Sequence, residues 1–286
     1  MLVATALLVT AIWGFNFVII ELGVREVPPL FLVCLRFVFS AFPALLFVKK
    51  PAISWIYLAL YGVLIGVGEF GFLFTAMKIG APAGLSSVVL QSQAFFTALL
   101  AVVFLGEKFR WNHAVGLLVA GAGLVLMGVL HSSNGEVSMP WLALVFILLA
   151  GLAWAAANIV ARKIGPVDAL GLMVWSSLFS PVPLLALSWF FEGQDAIWQA
   201  LTHLSMLSLG SIAYLAVLST LVAYGLWNAL IAQRGASAVA PFSLMVPVFG
   251  LTSAWLLLGQ SLTLGHALAA VLILGGLVVH VFGNKA

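Results

Sequence analysis

Long apolar runs follow one another along the chain, each closed by a short cluster of charged residues, proline or glycine. Runs of about 20 apolar residues are the length that a helix needs to cross the hydrocarbon of a bilayer. The gaps predict helices over 2–23, 29–48, 53–77, 82–105, 112–130, 139–161, 168–191, 203–231, 236–258 and 264–283. Period-two alternation is absent, which excludes a transmembrane β-barrel. The pattern therefore predicts an all-α membrane protein of ten transmembrane helices. The first run lacks the charged leader and small-residue cleavage site of a signal peptide, so it is expected to stay as the first span.

Composition agrees with the pattern. Of 286 residues, 64% are hydrophobic and 7% charged, against roughly 45–50% and 25% in a soluble globular domain. So little charge cannot coat a soluble surface, which excludes a nucleic-acid binder, a cytosolic enzyme and a secreted disulfide scaffold. The single cysteine, Cys34, allows no internal disulfide and no multi-thiolate metal site; it is expected to pack as a small apolar residue. The placement of lysine and arginine sets the orientation. With the N-terminus in the cytoplasm, Lys49, Lys50, Lys108, Arg110, Arg162, Lys163, Arg234 and Lys285 fall inside, and only Arg25 and Lys78 outside. Both termini are thus expected in the cytoplasm. Trp55, Trp111, Trp141, Trp189 and Trp198 lie near span ends, where indoles favour the headgroup layer.

The chain also repeats itself. Trp13-Gly14-Phe15-Asn16 in span 1 is echoed by Trp154-Ala155-Ala156-Ala157-Asn158 in span 6, and Ser40-Ala41-Phe42-Pro43 by Ser180-Pro181-Val182-Pro183. Leu105-Gly106-Glu107 after span 4 matches Leu258-Gly259-Gln260 after span 9, and His113-Ala114 with Gly123-Leu124 find His266-Ala267 and Gly276-Leu277. Two units follow, 1–131 and 139–286, each with five spans, so the second enters the membrane from the opposite side. Inverted repeats of this kind build two gates around a midplane site, which points to a transporter working by alternating access.

Polar groups at membrane depth are costly unless paired or wetted, so each is a candidate cavity residue. Glu69 is the acid well inside a span. It reads either as a coupling carboxylate or partner for a substrate ammonium, or as a buried acid bonded to a neighbouring helix. Arg36, the buried base, either holds a substrate carboxylate or pairs with Glu69 as a bolt between spans 2 and 3. Asn16, Gln91, Gln93, Asn158 and Asn228 are mid-span amides, suited to the polar end of an amino acid or to gluing helices. Asn16 and Asn158 occupy similar repeat positions and are expected to face one axis. Gln91 and Gln93 are two apart, so at most one is expected to line a cavity. Trp13, Trp154, Trp175, Trp227 and Trp255 sit deep; the first two ride on the asparagine helices as candidate cavity walls. Tyr224 aligns approximately with Glu69 across the repeat and offers a second hydrogen-bonding group. Pro43, Pro181, Pro183, Pro241 and Pro247 either kink their spans as hinges or simply pack. Gly116 to Gly128 and Gly275-Gly276 are expected to allow close helix approach.

Readings as an enzyme find no support: the spans hold no HExxH, Walker loop, GxSxG or paired-carboxylate constellation. Glycines 62 to 71 lack the strand-turn-helix context of a nucleotide site. The histidines are scattered, so neither a metal nor another cofactor is expected.

These motifs resemble the EamA family of the drug/metabolite transporter superfamily. The resemblance is carried by Ile12-Trp13-Gly14-Phe15-Asn16-Phe17, Leu35-Arg36-Phe37, Pro82-Ala83-Gly84-Leu85, Leu90-Gln91-Ser92-Gln93-Ala94-Phe95-Phe96-Thr97, Gly106-Glu107 and Val246-Pro247-Val248-Phe249-Gly250. Within the family, spans 1 and 4 look most like bacterial O-acetylserine/cysteine exporters, and more loosely like aromatic amino-acid exporters. The resemblance implies a ten-helix basket in the bacterial inner membrane. Spans 1, 3, 4, 6, 8 and 9 would surround a central cavity, with spans 5 and 10 at a dimer or lipid face. It leaves monomer and homodimer open. One departure is Gln260, where the family often has Glu; the same resemblance makes Arg36 an architectural residue.

The combined expectation is a secondary transporter that exports amino acids or related small metabolites. Trp13, Asn16, Gln91, Trp154, Asn158, Tyr224 and Asn228 would contact the substrate, and Glu69 and Arg36 would serve coupling or ion pairing. The expected partners are a small-molecule substrate and the lipid bilayer, with no nucleic acid. The alternative is multidrug efflux of lipophilic cations, for which Glu69 would be the neutralising acid.

Overall fold

The computed structural model describes residues 2–108, 111–130, 139–235, 239–261 and 263–282. Arg110, His131 and Lys285 lie outside the described residues. Those residues form helices and connecting turns, with no strand among them. Six helices are long and apolar enough to cross a membrane, or seven if one bent pair counts as a span. They are α1 (Leu2–Glu26), α2 (Pro29–Ala41, continued by a 3-10 turn at Ala44–Leu46), α3 (Trp55–Lys78), α4 (Ala83–Leu105), α6 (Trp141–Ile164) and α10 (Met206–Arg234), with α7 (Ala169–Phe179) and α8 (Pro181–Phe191) bent by 43° as the pair. Shorter apolar helices are α5 (Trp111–Val129), α11 (Met245–Leu258, led by a 3-10 turn at Ala240–Leu244) and α12 (Leu264–Phe282).

The surface is largely apolar, and several polar and charged side chains are buried within an apolar core, unlike a soluble protein. Phe47, Phe190, Phe191, Met206 and Leu264 are exposed, whereas Arg36, Glu69, Asn16 and Gln91 are buried. All five tryptophans predicted at span ends are exposed, as an interfacial belt requires. Trp255 is exposed on α11, and Trp175 donates to the Val48 carbonyl (2.9 Å) and stacks edgewise on Trp55. Trp255 thus lies on the outer face of the bundle, and Trp175 packs beside the end of α2. Cys34 is buried and its thiol donates to the Pro181 carbonyl (3.5 Å).

Several helices depart from α geometry. α2 stops at Ala41, just ahead of Pro43, whose ring cannot continue the hydrogen-bond ladder. The α7–α8 bend falls at Ser180, before Pro181 and Pro183. π-helical segments occupy Leu64–Gly71 in α3 and Tyr214–Val222 in α10, and a 3-10 turn at Leu90–Ser92 breaks α4. The glycines of 62 to 71 form a packing seam. A Cβ on Gly62 would stand 2.2 Å from the Ser176 carbonyl oxygen, one on Gly66 2.1 Å from Ser180 Oγ, and one on Gly68 2.6 Å from Ala153 Cβ. α5 and α12 make the most extensive helix pairing. A Cβ on Gly276 would stand 2.5 Å from the Gly116 carbonyl, so side-chain-free backbone brings the two together.

The matching Leu-Gly-Glu and Leu-Gly-Gln motifs end α4 and α11 in the same way. Gly106 and Gly259 adopt left-handed φ of +67° and +66°, and the next N–H (Glu107, Gln260) returns to Ala101 or Ala254 at 3.3 Å. Glycine is required there because other residues enter that region at a cost.

An amphipathic helix absent from the predicted set, α9 (Gln194–Thr202), follows α8. It buries Ile197 and Ala200 and exposes Trp198 and Leu201. At nine residues it is too short to span, and the hydropathy pattern leaves it inside a connection.

Candidate functional site

A cavity of about 460 Å3 lies in the middle of the bundle. α1 brings Trp13, Asn16 and Phe17; α2 brings Arg36; α3 brings Tyr61, Glu69, Phe70 and Leu73. α4 adds Leu90, Gln91 and Gln93, α6 adds Trp154 and Asn158, and α10 adds Ser219, Tyr224 and Trp227. Ser243 and Val246 close it from the 3-10 turn and α11. α5, α7, α8, α9 and α12 contribute nothing to the lining.

Arg36 is 1% exposed. Its Nε donates to Thr220 Oγ1 (3.3 Å) and its Nη2 to Ser219 Oγ (3.4 Å), while the guanidinium carbon lies 3.8 Å from the centroid of the Phe70 ring. Nη1 has no hydrogen-bond partner. Glu69 is 3% exposed, and its Oε2 is also without a partner. The ion pairs among the described residues are Arg25–Glu21 and Arg162–Glu107, so the predicted bolt between Arg36 and Glu69 does not form. The physical reason is competition. Two hydroxyls of α10 and the face of Phe70 hold the guanidinium instead.

Both hydroxyls belong to the π segment of α10. Winding with wider turns releases main-chain carbonyls from regular α bonding, and side chains of neighbouring helices use them. Trp13 Nε1 donates to the Ser219 carbonyl (3.1 Å), and Ser40 Oγ to the Ala216 carbonyl (3.4 Å). Tyr214, the first residue of the segment, donates its hydroxyl to the Ile12 carbonyl of α1 (2.8 Å). Trp13 then stacks against Tyr224 (5.3 Å) and Trp227 (5.1 Å), forming an aromatic wall. Counted from the first residue of each π segment, Glu69 corresponds to Ser219, not to Tyr224. Tyr224 nevertheless reaches the cavity, as part of that wall.

The amides divide. Asn16 is buried with Oδ1 unpartnered. Asn158 is tied down: its Nδ2 donates to Gln93 Oε1 and to Thr97 Oγ1, both at 3.2 Å. Gln91 and Gln93 both line the cavity, against the expectation of one. In an α-helix two residues apart diverge by about 160°, and a 3-10 turn cuts this to about 120°. The turn at Leu90–Ser92 falls between them, and Gln93 is long enough to reach in. Asn228 alone of the predicted site residues does not line the cavity. On α10 it sits on the flank of Tyr224 away from Trp227, half-buried with Nδ2 unpartnered.

A family model described as the EamA-like transporter family matches residues 1–129 and again residues 141–282. The chain belongs to that family. A protein of Salmonella typhimurium named "Probable amino-acid metabolite efflux pump" is 43% identical over 284 residues, covering 98% of this chain and 94% of its own. One of Escherichia coli with the same name is 40% identical over the same shares. A solved crystal structure superposes with a TM-score of 0.61 over 98% of this chain and 96% of its own; at 18% identity it shares the fold alone.

As an EamA-like transporter the chain places eight predicted residues, Trp13, Asn16, Arg36, Glu69, Gln91, Trp154, Asn158 and Tyr224, around one cavity. Sequence reasoning missed Ser219 and Thr220, which hold Arg36. They are adjacent hydroxyls in an apolar run, the same signal that singled out the amides. It also missed Tyr61, a mid-span phenol on the face that leads to Glu69.

Proposed function

We propose that this chain is a bacterial inner-membrane secondary transporter that exports amino acids or related small metabolites by alternating access, with the central cavity as its substrate site. The observation that carries this reading is the convergence of an acid, a base, four amides and an aromatic wall on one cavity at membrane depth. A pocket of a few hundred Å3, apolar with a few convergent polar groups, is the usual shape of a small-molecule site. The efflux-pump names of the two bacterial relatives support the direction and the substrate class.

In this reading the chain crosses ten times, as α1 to α6, the bent α7–α8 pair, α10, α11 and α12. Residues 1–131 and 139–286 are the two inverted repeats, and both termini face the cytoplasm. The separate family matches to each half support it, as do the paired π segments of α3 and α10 and the twin glycine stops of α4 and α11. Those paired irregularities sit where each half would bend as the gates exchange. α5 and α12 pack on each other away from the cavity and are available to lipid or to a second copy; the working unit is a monomer or homodimer. Residues 78–83, 192–205 and 260 face the outside.

Arg36 in the cavity wall opposes the alternative of lipophilic cation efflux. The test is counterflow in proteoliposomes preloaded with threonine, cysteine or phenylalanine, with labelled amino acid outside and with or without a pH gradient. Accelerated uptake by a specific amino acid is expected. No acceleration by any of them, with uptake of a lipophilic cation instead, overturns the assignment. Replacing both Asn16 and Asn158 by alanine is expected to cut uptake at least tenfold in folded protein; unchanged transport would place the site elsewhere.

A further inference from the structure

We infer that the cavity selects substrates carrying one positive and one negative charge together, with Arg36 receiving the carboxylate and Glu69, assisted by Asn16, receiving the ammonium group. The inference rests on the transport reading above and deepens it.

Its basis is an acid and a base that share a cavity without a direct ion pair between them. A buried arginine and carboxylate in reach of one another ordinarily form a forked pair. Here the guanidinium is held on the Phe70 ring, the residue next to Glu69, and by the hydroxyls of Ser219 and Thr220. Phe70 thus acts as a spacer, its ring occupied by the cation while Glu69 stays outside the ion pairs found among the described residues.

What remains unsatisfied has a definite chemistry. The cavity residues with an unpartnered buried polar atom are Arg36 at Nη1, a donor, and Glu69 at Oε2 and Asn16 at Oδ1, two acceptors. A carboxylate supplies the missing acceptor and an ammonium the missing donors, and both are found on every free α-amino acid. Buried polar atoms left without partners are costly, so a ligand that satisfies all three recovers more than one that satisfies some. Charge works in the same direction. When Glu69 is ionised the two side chains sum to zero, and a zwitterion then adds no net charge to the membrane interior, whereas an amine or a carboxylic acid leaves one protein charge uncompensated. The aromatic wall of Trp13, Tyr224 and Trp227 supplies an apolar surface for the rest of the molecule.

The proposal is tested by competition against labelled L-cysteine, kept reduced, in proteoliposome counterflow. The competitors are cysteine, cysteamine, which lacks the carboxylate, and 3-mercaptopropionate, which lacks the ammonium. Phenylalanine with phenethylamine and 3-phenylpropanoate gives a second triple if phenylalanine is the better-transported label. Wild type is expected to prefer the amino acid over either fragment by about tenfold to a hundredfold, the value of one charge-assisted hydrogen bond. Arg36→Gln is expected to lose the preference over the amine and keep that over the acid. Glu69→Gln is expected to do the reverse, and Arg36→Lys and Glu69→Asp to restore part of each. Wild-type protein that accepts fragments as readily as the amino acid overturns the inference without any variant. Variants that transport but keep both preferences overturn it as well. Failure of every amino acid in the panel to be taken up, by contrast, overturns the transport function itself.

Discussion

The two ends of the helical bundle hold their helix termini in different ways. At the end gathering Glu21, Glu26, Glu192 and Asp195, helices α2, α4 and α10 begin, and their free N–H groups or first-turn hydroxyls meet carboxylates from elsewhere in the chain. Glu192 accepts from the Leu30 and Phe31 N–H groups at 2.7 and 3.2 Å across 162 and 161 residues, and from Ser188 Oγ at 2.5 Å. Glu21 accepts from the Ala83 N–H (3.1 Å) and from Gln260 Nε2 (2.6 Å), while Gln260 Oε1 accepts from the Gly84 N–H (3.2 Å). Glu26 accepts from Ser205, the residue before α10, and from Ser208 in its first turn (2.6 Å for the latter). At the opposite, basic end, α7 is capped locally by Asp168, through Leu170 and Gly171 N–H at 3.3 and 2.8 Å. The charged side chains there otherwise make mostly superficial contacts: the Arg162–Glu107 pair, Lys50 over Trp55 at 4.5 Å and Lys163 over Phe104 at 5.6 Å.

The difference teaches that one sequence motif can do two jobs. Glu107 and Gln260 follow identical glycine stops, yet Glu107 meets a cation and Gln260 meets the carboxylate of Glu21. A glutamate at 260 would set two carboxylates against each other beneath the same helix N-terminus. Glutamine keeps both hydrogen bonds, one donated and one accepted, with no repulsion. Glutamine at 260 thus suits the neighbouring carboxylate of Glu21.

Substitutions can break this contrast. The largest effect is expected from Glu192→Ala, which strands two N–H groups at the start of α2; a loss of about 2 kcal/mol should appear as a lowered melting temperature in detergent. Gln260→Glu should cost about 1–2 kcal/mol at neutral pH. Two facing carboxylates can share a proton in acid but not in base, so its melting temperature should fall as pH rises while wild type changes little. Equal pH responses of the two proteins would show that Gln260 is not answering Glu21. Glu107→Gln, by contrast, removes half of a pair whose side chains are each 46% exposed. It should shift stability by no more than about 0.5 kcal/mol, and high salt should erase even that. Lys50→Gln, which takes the cation from Trp55, should be smaller or similar, about 0.5 kcal/mol. A basic-end variant as damaging as Glu192→Ala would dissolve the distinction.

The same contrast explains what was legible in the sequence. Asp168 two to three residues ahead of its N–H partners is a local signal. Glu192 reaching Leu30 is not, because only the packing of α8 beside α2 brings them together. Asn16, Gln91, Trp154 and Glu69 stood out as polar or bulky groups against an apolar background, and that background is what defines a membrane cavity. Their pairing did not stand out. Arg36 and Glu69 are opposite charges on consecutive spans, and nothing in the letters says that Ser219, Thr220 and Phe70 will hold the base instead. The π segments and the turn at Leu90–Ser92 carry no hydropathy signature, so the rotation that brings Gln93 into the cavity was hidden. α9 was hidden for another reason: its one apolar face is too narrow to register as a span.

The position of Cys34 has a practical meaning for watching this molecule move. The thiol is sealed inside the bundle against the Pro181 carbonyl, and bulky maleimides or spin labels attack only a thiolate they can reach. Cysteines introduced at exposed sites such as Trp198 on α9 and Arg234 at the end of α10 would therefore take the label while the native residue stays unmodified. Pairs of probes spanning the two ends can then report their separation, turnover by turnover, in a chain whose own sulfur chemistry is silent.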